Sequence, residues 1–145
     1  FDVIICLFDT LNHVLDFTDW QRIFDNVCQH LSSWWIFLFD INTPYKIKKM
    51  TWYKPFLQEL KNWDFVITKI KQENENIFCW NSQFFVQKCK DNFEKYEEKI
   101  YEIAVPTKQI KDSLKNFDVK IFDSKNWKIS RYSERIYFLV KTKNK

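Results

Sequence analysis

The chain has 145 residues and a formal net charge of +4, with 46% hydrophobic and 19% aromatic residues. This composition excludes a disordered chain, and the length allows one domain with its own core. No apolar run approaches the roughly 18 residues of a transmembrane helix, and no signal peptide is recognisable, so we expect no membrane partner.

Four cysteines, Cys6, Cys28, Cys79 and Cys89, show none of the paired spacings that are typical of zinc sites. Only two histidines are available to help them, so we expect no metal site. Cys6 and Cys28 lie on apolar faces and are expected to be buried free thiols. Free thiols favour a reducing compartment, and we therefore expect a cytoplasmic protein.

The first forty residues predict a strand, a helix and a second strand. Residues 1–6 form a continuous apolar run that is typical of a buried parallel strand. Residues 19–31 carry apolar side chains at helical spacing, and Thr18 and Gln21 match a capping box. Residues 36–39 form the second apolar run, so a βαβ unit with a parallel strand pair is expected.

The rest of the chain predicts a mixture of short helices and strands. Helices are expected around residues 55–60 and from Pro106–Thr107 onwards. Strands are expected at 65–71, 76–80, 83–89, 99–105, 119–122 and 135–141. In the segment 101–105, Tyr101 and Ile103 alternate with Glu102, the pattern of a half-buried antiparallel strand. No repeat or linker divides the chain, so one domain is expected.

The chain contains seven tryptophans and no glycine, although glycine averages about 7% of residues. Trp34, Trp35, Trp63 and Trp127 fall at predicted turns, where glycine is favoured because it reaches positive φ without a Cβ clash. We hypothesise that these tryptophans are UGA codons that the source organism reads as glycine. Trp20 lies on the apolar stripe of the first helix and is expected to be genuine. The alternative is a Trp-rich, glycine-free protein.

Several segments occur in the order found in one enzyme family: FDVIICLFDTLNHV, IFDNVCQHLSSWW, IFLFDINT, PTKQIKDSLKNFDVKIFD and SERIYFLVK. This set resembles the second half of class I S-adenosylmethionine-dependent methyltransferases. In that family a loop such as D-S-L-N-H follows the fourth strand, and x-F-x-F-D-x-N-T forms the fifth. The resemblance covers nearly the whole chain. It implies an α/β fold, the C-terminal half of a Rossmann-like sheet (strands four to seven), with an antiparallel insert at about 61–105 after strand five.

The resemblance also implies what residues 1–145 do not contain. The family's glycine-rich cofactor loop and its ribose-binding acidic residue belong to the N-terminal half, which has no counterpart here. Ligands of open α/β sheets lie outside the carboxyl ends of the strands, at the switch point, and this chain supplies one wall of that crevice. We therefore expect a single partial domain that binds the cofactor weakly by itself.

The family's fourth strand and the loop after it face the cofactor and the transferable methyl group. The resemblance assigns contacts with S-adenosylmethionine to Cys6, Leu7, Phe8 and Asp9. For the next part of the loop it implies that Asn12 and His13 face the methyl group and the substrate as catalytic residues.

Methyl transfer is an in-line displacement at a sulfonium, and it needs positioning more than a nucleophile. A base is needed if the acceptor is protonated, and the near-neutral pKa of a histidine suits His13 to that task. Helix capping by Asp9 or Asn12 and a merely structural His13 are the alternatives.

The expected activity is methyl transfer to N or O of a small molecule, with Asp40, Tyr45 and Arg131 as substrate-binding residues. Asp40 ends the strand that resembles strand five, near the substrate mouth, and a strand-end cap is its alternative. Tyr45 and Arg131 are expected to line a pocket under the insert. The oligomeric state does not follow from the sequence.

Two other functions remain open. A non-catalytic domain for protein association is favoured if Trp34 and Trp35 are genuine and exposed, because Trp is enriched at interface hot spots. A nucleic-acid methyltransferase is suggested by NTPY at Asn42–Tyr45, which is similar to the N-P-P-Y motif of amino-directed enzymes. Here the motif follows the fifth strand instead of the fourth, and Thr43 replaces the first Pro. The small net charge also argues against a nucleic-acid substrate.

Overall fold

The computed structural model describes residues 1–32 and 35–142 of the chain. In chain order the elements are β1 (Val3–Cys6), α1 (Phe17–His30), β2 (Ile36–Asn42), α2 (Pro44–Thr51), β3 (Phe56–Glu59), β4 (Phe65–Gln72), β5 (Ile77–Cys89), β6 (Asn92–Ile103), α3 (Thr107–Ser113), β7 (Phe117–Asp123) and β8 (Arg135–Thr142). Short 3-10 turns occupy Thr10–His13 and Lys61–Trp63. The expected mixed α/β class is confirmed. Among the described residues, no helix has the length and apolar character to cross a membrane.

The first sheet has the strand order β1-β2-β8-β7. β1 and β2 are parallel, as predicted, and β8 is antiparallel to both of its neighbours. The carboxyl ends of β1, β2 and β7 and the amino end of β8 therefore share one edge, which we call the carboxyl edge. Cys6, Asn42, Asp123 and Arg135 are the terminal residues of the four strands at this edge.

Helix α1 covers the first sheet with the apolar stripe that the sequence predicted. Trp20 is fully buried, and its indole Nε1 donates a hydrogen bond to the Val14 carbonyl at 2.7 Å. The rings of Phe39 and Phe138 stack in the same core, with centroids 4.7 Å apart. The capping-box expectation was wrong: the helix begins two residues earlier, and its N-cap is Asp16, which accepts a hydrogen bond from the Thr18 amide.

The second sheet is an antiparallel insert of four strands in the order β3-β4-β5-β6. It occupies residues 56–103 between β2 and α3, close to the expected 61–105. The two strands expected at 76–80 and 83–89 are one continuous strand, β5. Ile47 of α2 packs against this sheet in a small core with Ile70, Phe78 and Ala104.

The helix expected around residues 55–60 was wrong, because that segment forms strand β3 and pairs with β4. The helix lies earlier, at α2. Its N-cap is Thr43, whose hydroxyl accepts a hydrogen bond from the Lys46 amide at 3.2 Å, and Pro44 occupies the first turn. The N-cap residue followed by proline was the available sequence signal for this helix start.

The tryptophans at predicted turns differ in their backbone geometry. Trp63 and Trp127 have φ angles of 67° and 65°, in the left-handed region that favours glycine. Trp35 instead is buried and packs against Phe117, with ring centroids 5.5 Å apart. Trp34 lies outside the described residues. The misreading hypothesis is therefore supported at Trp63 and Trp127, whereas Trp35 packs as a tryptophan.

We expect Trp63→Gly to raise the free energy of unfolding by about 1 kcal/mol, because a non-glycine residue is strained at positive φ. The side chain of Trp63 is 83% exposed, so little packing is lost. Urea denaturation of the full chain measures the change.

Trp52→Gly is the matched control, since Trp52 is also exposed but has a right-handed backbone with φ at −82°. We expect this variant to lose about 0.5 kcal/mol. Equal losses in both variants would contradict a glycine-favouring backbone at position 63.

Candidate functional site

Arg135 joins two acidic side chains at the carboxyl edge. Its guanidinium Nη2 donates to Asp9 Oδ1 at 2.5 Å, and its Nη1 donates to Asp40 Oδ2. Asp40 is almost completely buried, with 1% of its surface exposed. Burial by itself lowers the pKa of Arg135, but the two carboxylates outweigh this effect and hold the pKa above its ordinary value.

The loop after β1 is held in a strained shape by this ion pair. Phe8 and Asp9 have φ angles of 61° and 53°, an unfavourable region for residues other than glycine. Three contacts hold Asp9 besides Arg135: its amide donates to Asp40 Oδ1 at 3.2 Å, its Oδ2 accepts from Asn42 Nδ2 at 2.7 Å, and its carbonyl accepts from the Asn12 amide at 2.8 Å. These contacts fix the direction in which the chain continues from Asp9 into the turn at Thr10–His13.

Asn12 fastens the loop to both sheets. Its side chain is fully buried, and its Nδ2 donates to the carbonyls of Asn42 at 3.1 Å and Ile103 at 2.8 Å. Its Oδ1 accepts from the Asn42 amide at 3.0 Å. Both amide protons are therefore engaged with backbone, and no donor remains for a substrate.

Glu102, near the end of β6, is a buried acid that the sequence reasoning missed. It is 3% exposed, and its Oε2 accepts from Asn42 Nδ2 at 3.2 Å. Burial raises its pKa, the Asn42 hydrogen bond lowers it, and the Asp9 charge raises it again, so the pKa lies above its ordinary value. The alternation along the strand predicted that Tyr101 would be buried and Glu102 exposed. The structure shows the reverse: Glu102 is buried and Tyr101 is exposed.

His13 lies at the open side of this cluster. Its Nδ1 is 3.1 Å from the Tyr101 carbonyl, which makes Nδ1 the protonated nitrogen and leaves Nε2 free. A ring nitrogen of His13 and one carboxylate oxygen each from Asp9 and Glu102 lie within 4.8 Å of one another. These three residues form what we call the acidic pocket, and they are chemically suited to a bound cation.

Lys46 of α2 approaches the same cluster from the other side. Its Nζ donates to Asn42 Oδ1 at 2.7 Å. Burial lowers its pKa, with Arg135 as a further lowering cause. The lysine therefore contacts the amide that binds Asp9 and Glu102, and among the described residues it forms no ion pair with a carboxylate.

The residues with an expected cofactor role line one end of β1. Cys6 is half-buried, and burial raises the pKa of its thiol, as does the nearby Asp40 charge. The carbonyl of Leu7 accepts a hydrogen bond from the Thr10 hydroxyl at 2.6 Å, and Phe8 is 81% exposed. Cys6 ends β1, and Leu7, Phe8 and Asp9 begin the loop after it.

Two of the three expected substrate residues share a cavity of about 230 Å³. Tyr45 and Arg131 line it, as do Thr43, Ser130, Ser133 and Ile136. The guanidinium of Arg131 lies over the ring of Tyr132, at 4.6 Å from its centroid, and this ring also contacts Tyr45. Among the described residues, neither Asp40 nor any residue of the insert lines this cavity, so the expected position under the insert was wrong.

No protein-family model matches the sequence, and no curated protein is similar to it by sequence. Among solved structures, the chain is similar to an S-adenosylmethionine-dependent methyltransferase from Clostridium acetobutylicum, with 27% identity and a TM-score of 0.83. The match covers 99% of this chain and 59% of that one. The resemblance to S-adenosylmethionine-dependent methyltransferases is thereby confirmed.

Two further structures are similar in fold alone. A sugar N-methyltransferase from Streptoalloteichus sp. has 9% identity and a TM-score of 0.76, with 99% of this chain and 57% of that chain covered. An amino pentose methyltransferase from Micromonospora echinaspora, solved with S-adenosylmethionine bound, has 8% identity and a TM-score of 0.72, with coverage of 98% and 58%. This chain spans less than two thirds of the length of each of these proteins.

We expect Arg135→Met to lower the free energy of unfolding by about 3 kcal/mol, because Asp9 and Asp40 would keep their charges without a partner. Chemical denaturation at neutral pH measures the loss. Arg22→Met is the control, since Arg22 pairs with Asp19 on the exposed face of α1 and should change stability by less than about 0.5 kcal/mol. Similar effects of the two variants would contradict a central role for Arg135.

Proposed function

We propose that this chain is the part of a methyltransferase domain that carries the family's fourth to seventh strands. We propose further that the whole protein transfers a methyl group from S-adenosylmethionine to N or O of a small molecule. The observation that carries the proposal is the similarity to the clostridial methyltransferase along 99% of this chain. The loop after β1, fixed at the carboxyl edge, supports it independently.

The open edge of β1 supports the assignment of the strands. β1 is the outermost strand of the first sheet and pairs only with β2 among the described residues. Val3 and Ile5 are 50% and 58% exposed there, although the strand's sequence is that of a buried parallel strand. A further strand would pair with the open backbone edge of β1, and an element packed on the face of Val3 and Ile5 would bury these side chains, as expected where the cofactor-loop half of the domain joins this one.

Cys6, Leu7, Phe8 and Asp9 remain the proposed cofactor-contacting residues, because ligands of open α/β sheets bind beyond the carboxyl ends of strands. When bound, S-adenosylmethionine supplies an electrophilic methyl group on a sulfonium. The chain's contribution is to hold the loop, through Arg135 and Asn12, so that His13 faces the acceptor. We therefore retain His13 as the proposed catalytic residue and assign Asn12 a positioning role.

Tyr45 and Arg131 are proposed to bind the acceptor, since they share a cavity with several hydroxyl-bearing residues. Asp40 acts through Arg135 and is proposed as a positioning residue. Two neighbours in fold are described as sugar and amino pentose methyltransferases, which supports a small-molecule acceptor. A reducing cytoplasm belongs to the same proposal, because all four cysteines are free thiols in the described part of the chain.

The two other functions have less support. Trp35 is buried, so it does not offer the exposed Trp pair on which a protein-association surface would rest. The NTPY segment has a structural explanation, because Asn42 is held by hydrogen bonds and Thr43 and Pro44 start α2.

Labelled S-adenosylmethionine tests the proposal with the protein expressed from its native reading frame. After incubation with a cell extract, we expect the label in the small-molecule fraction. His13→Ala should lower the rate about 100-fold through lost positioning, whereas His30→Ala, on the exposed end of α1, should not change it. Label confined to RNA or DNA would contradict the small-molecule assignment. The absence of label from every fraction would contradict the proposed methyltransferase activity.

A further inference from the structure

The polar cluster at the carboxyl edge has an uncompensated negative charge. Its hydrogen-bonded network joins three carboxyl groups, Asp9, Asp40 and Glu102, and two cations, Arg135 and Lys46. Arg135 contacts both aspartates, whereas the Lys46 side chain, within the part of the chain that the structure describes, donates its hydrogen bond to the Asn42 amide. With Glu102 ionised and His13 neutral, one negative charge remains without a partner.

Glu102 is the group at which this charge is least compensated. Only its Oε2 accepts a hydrogen bond from a described residue, so Oε1 is free of protein donors within the described part of the chain. Glu102 is 3% exposed, yet its Oε1 is not sealed from solvent without a partner, so a bound ligand can supply the donor that solvent otherwise supplies. The Asp9 carboxylate lies beside it and is an acceptor as well, and neutral His13 adds an acceptor at its unprotonated nitrogen.

We infer that the acidic pocket binds the methyl acceptor as a protonated amine and that Glu102 removes the proton that blocks its nitrogen. The inference rests on the proposed function, which leaves the acceptor atom open between N and O. A primary ammonium has N–H donors for the carboxylates of the acidic pocket and one positive charge that compensates the negative charge of the cluster. A hydroxyl acceptor would leave the negative charge uncompensated.

A divalent metal ion fits the same pocket less well. Two added positive charges would leave the cluster with a net positive charge beside Arg135 and Lys46. Asp9 is also already held by Arg135 and Asn42, which limits its freedom to rearrange around an ion. A single positive charge neutralises the cluster without displacing either contact.

The proton and electron balance of the step is simple. An N–H bond of the ammonium breaks, its proton forms an O–H bond with Glu102, and the nitrogen keeps the electron pair. That pair attacks the methyl carbon of the sulfonium, the C–S bond breaks, and sulfur leaves as a neutral thioether. Glu102 then loses its proton to solvent by way of the exposed His13.

The charges around Glu102 suit it to this role. Burial raises its pKa most, the Asn42 hydrogen bond lowers it, the Asp9 charge raises it and the Lys46 charge lowers it, and the raised value prevails. A carboxylate with a raised pKa is a better proton acceptor near neutral pH than an exposed one.

NMR titration of the full chain tests the inference with a matched pair of probes. Glucosamine and glucose differ by one amine, and each is added at millimolar concentration while the Glu102 carboxyl carbon and the His13 ring are followed. We expect glucosamine to shift both signals and to lower the apparent pKa of Glu102, because a bound cation favours the carboxylate. Glucose should do neither.

Two variants test whether the response to glucosamine depends on Glu102 itself or on any acidic residue of β6. Glu102→Gln should abolish the response of His13 to glucosamine. Glu98→Gln, at an exposed acid on the same face of β6, should keep it. If the Glu102 variant does not fold, the pKa measurement on the unaltered chain decides by itself.

Several results would overturn the inference: no shift with glucosamine, an equal shift with glucose, or Mn²⁺ at micromolar concentration broadening Asp9, His13 and Glu102 selectively. Labelled methyl transfer to a hydroxyl acceptor would also overturn it, yet it would leave the proposed function intact. Conversely, an amine-specific shift without any transfer from S-adenosylmethionine would overturn the proposed function alone.

Discussion

The ion pair of Arg135 with Asp9 and Asp40 is the interaction on which the rest of the site depends. It joins the loop after β1, the body of β2 and the start of β8, three segments that are far apart in the chain. The two carboxylates are largely buried and close together, so their mutual repulsion must be offset by the guanidinium. This contact therefore fixes the positions of these three segments relative to one another at the carboxyl edge.

The other polar contacts extend this order towards the insert. Asn42 binds Asp9 and Glu102 with one amide group, and Asn12 holds the Asn42 backbone and the end of β6. Buried polar networks of this kind specify a unique arrangement only when every member is satisfied. Glu102 is the member whose second carboxylate oxygen has no donor among the described residues, and its carboxylate lies within 4.8 Å of a His13 ring nitrogen.

The sequence was sufficient for features that depend on local periodicity. The apolar runs of β1 and β2 and the stripe of α1 follow from spacing alone, and so does the parallel pair they form. The sequence was insufficient for features that depend on contacts between segments far apart in the chain. Alternation along β6 predicted Glu102 on the exposed face, because packing of the strand's end against the loop of the first sheet is not visible locally. The pairing of Arg135 with two residues near the start of the chain had no sequence signal, and the start of α2 was missed although Thr43 and Pro44 marked it.

A crystal structure of the protein from its native reading frame, with S-adenosylhomocysteine bound, tests the central claim most directly. We expect the thioether sulfur to lie against the loop from Leu7 to His13, with Arg135 still bound to Asp9 and Asp40 and with open space between the sulfur and Glu102. A ligand bound away from this loop, or an Arg135 side chain turned away from both aspartates while the ligand is bound, would contradict the claim that this ion pair organises a methyl-transfer site.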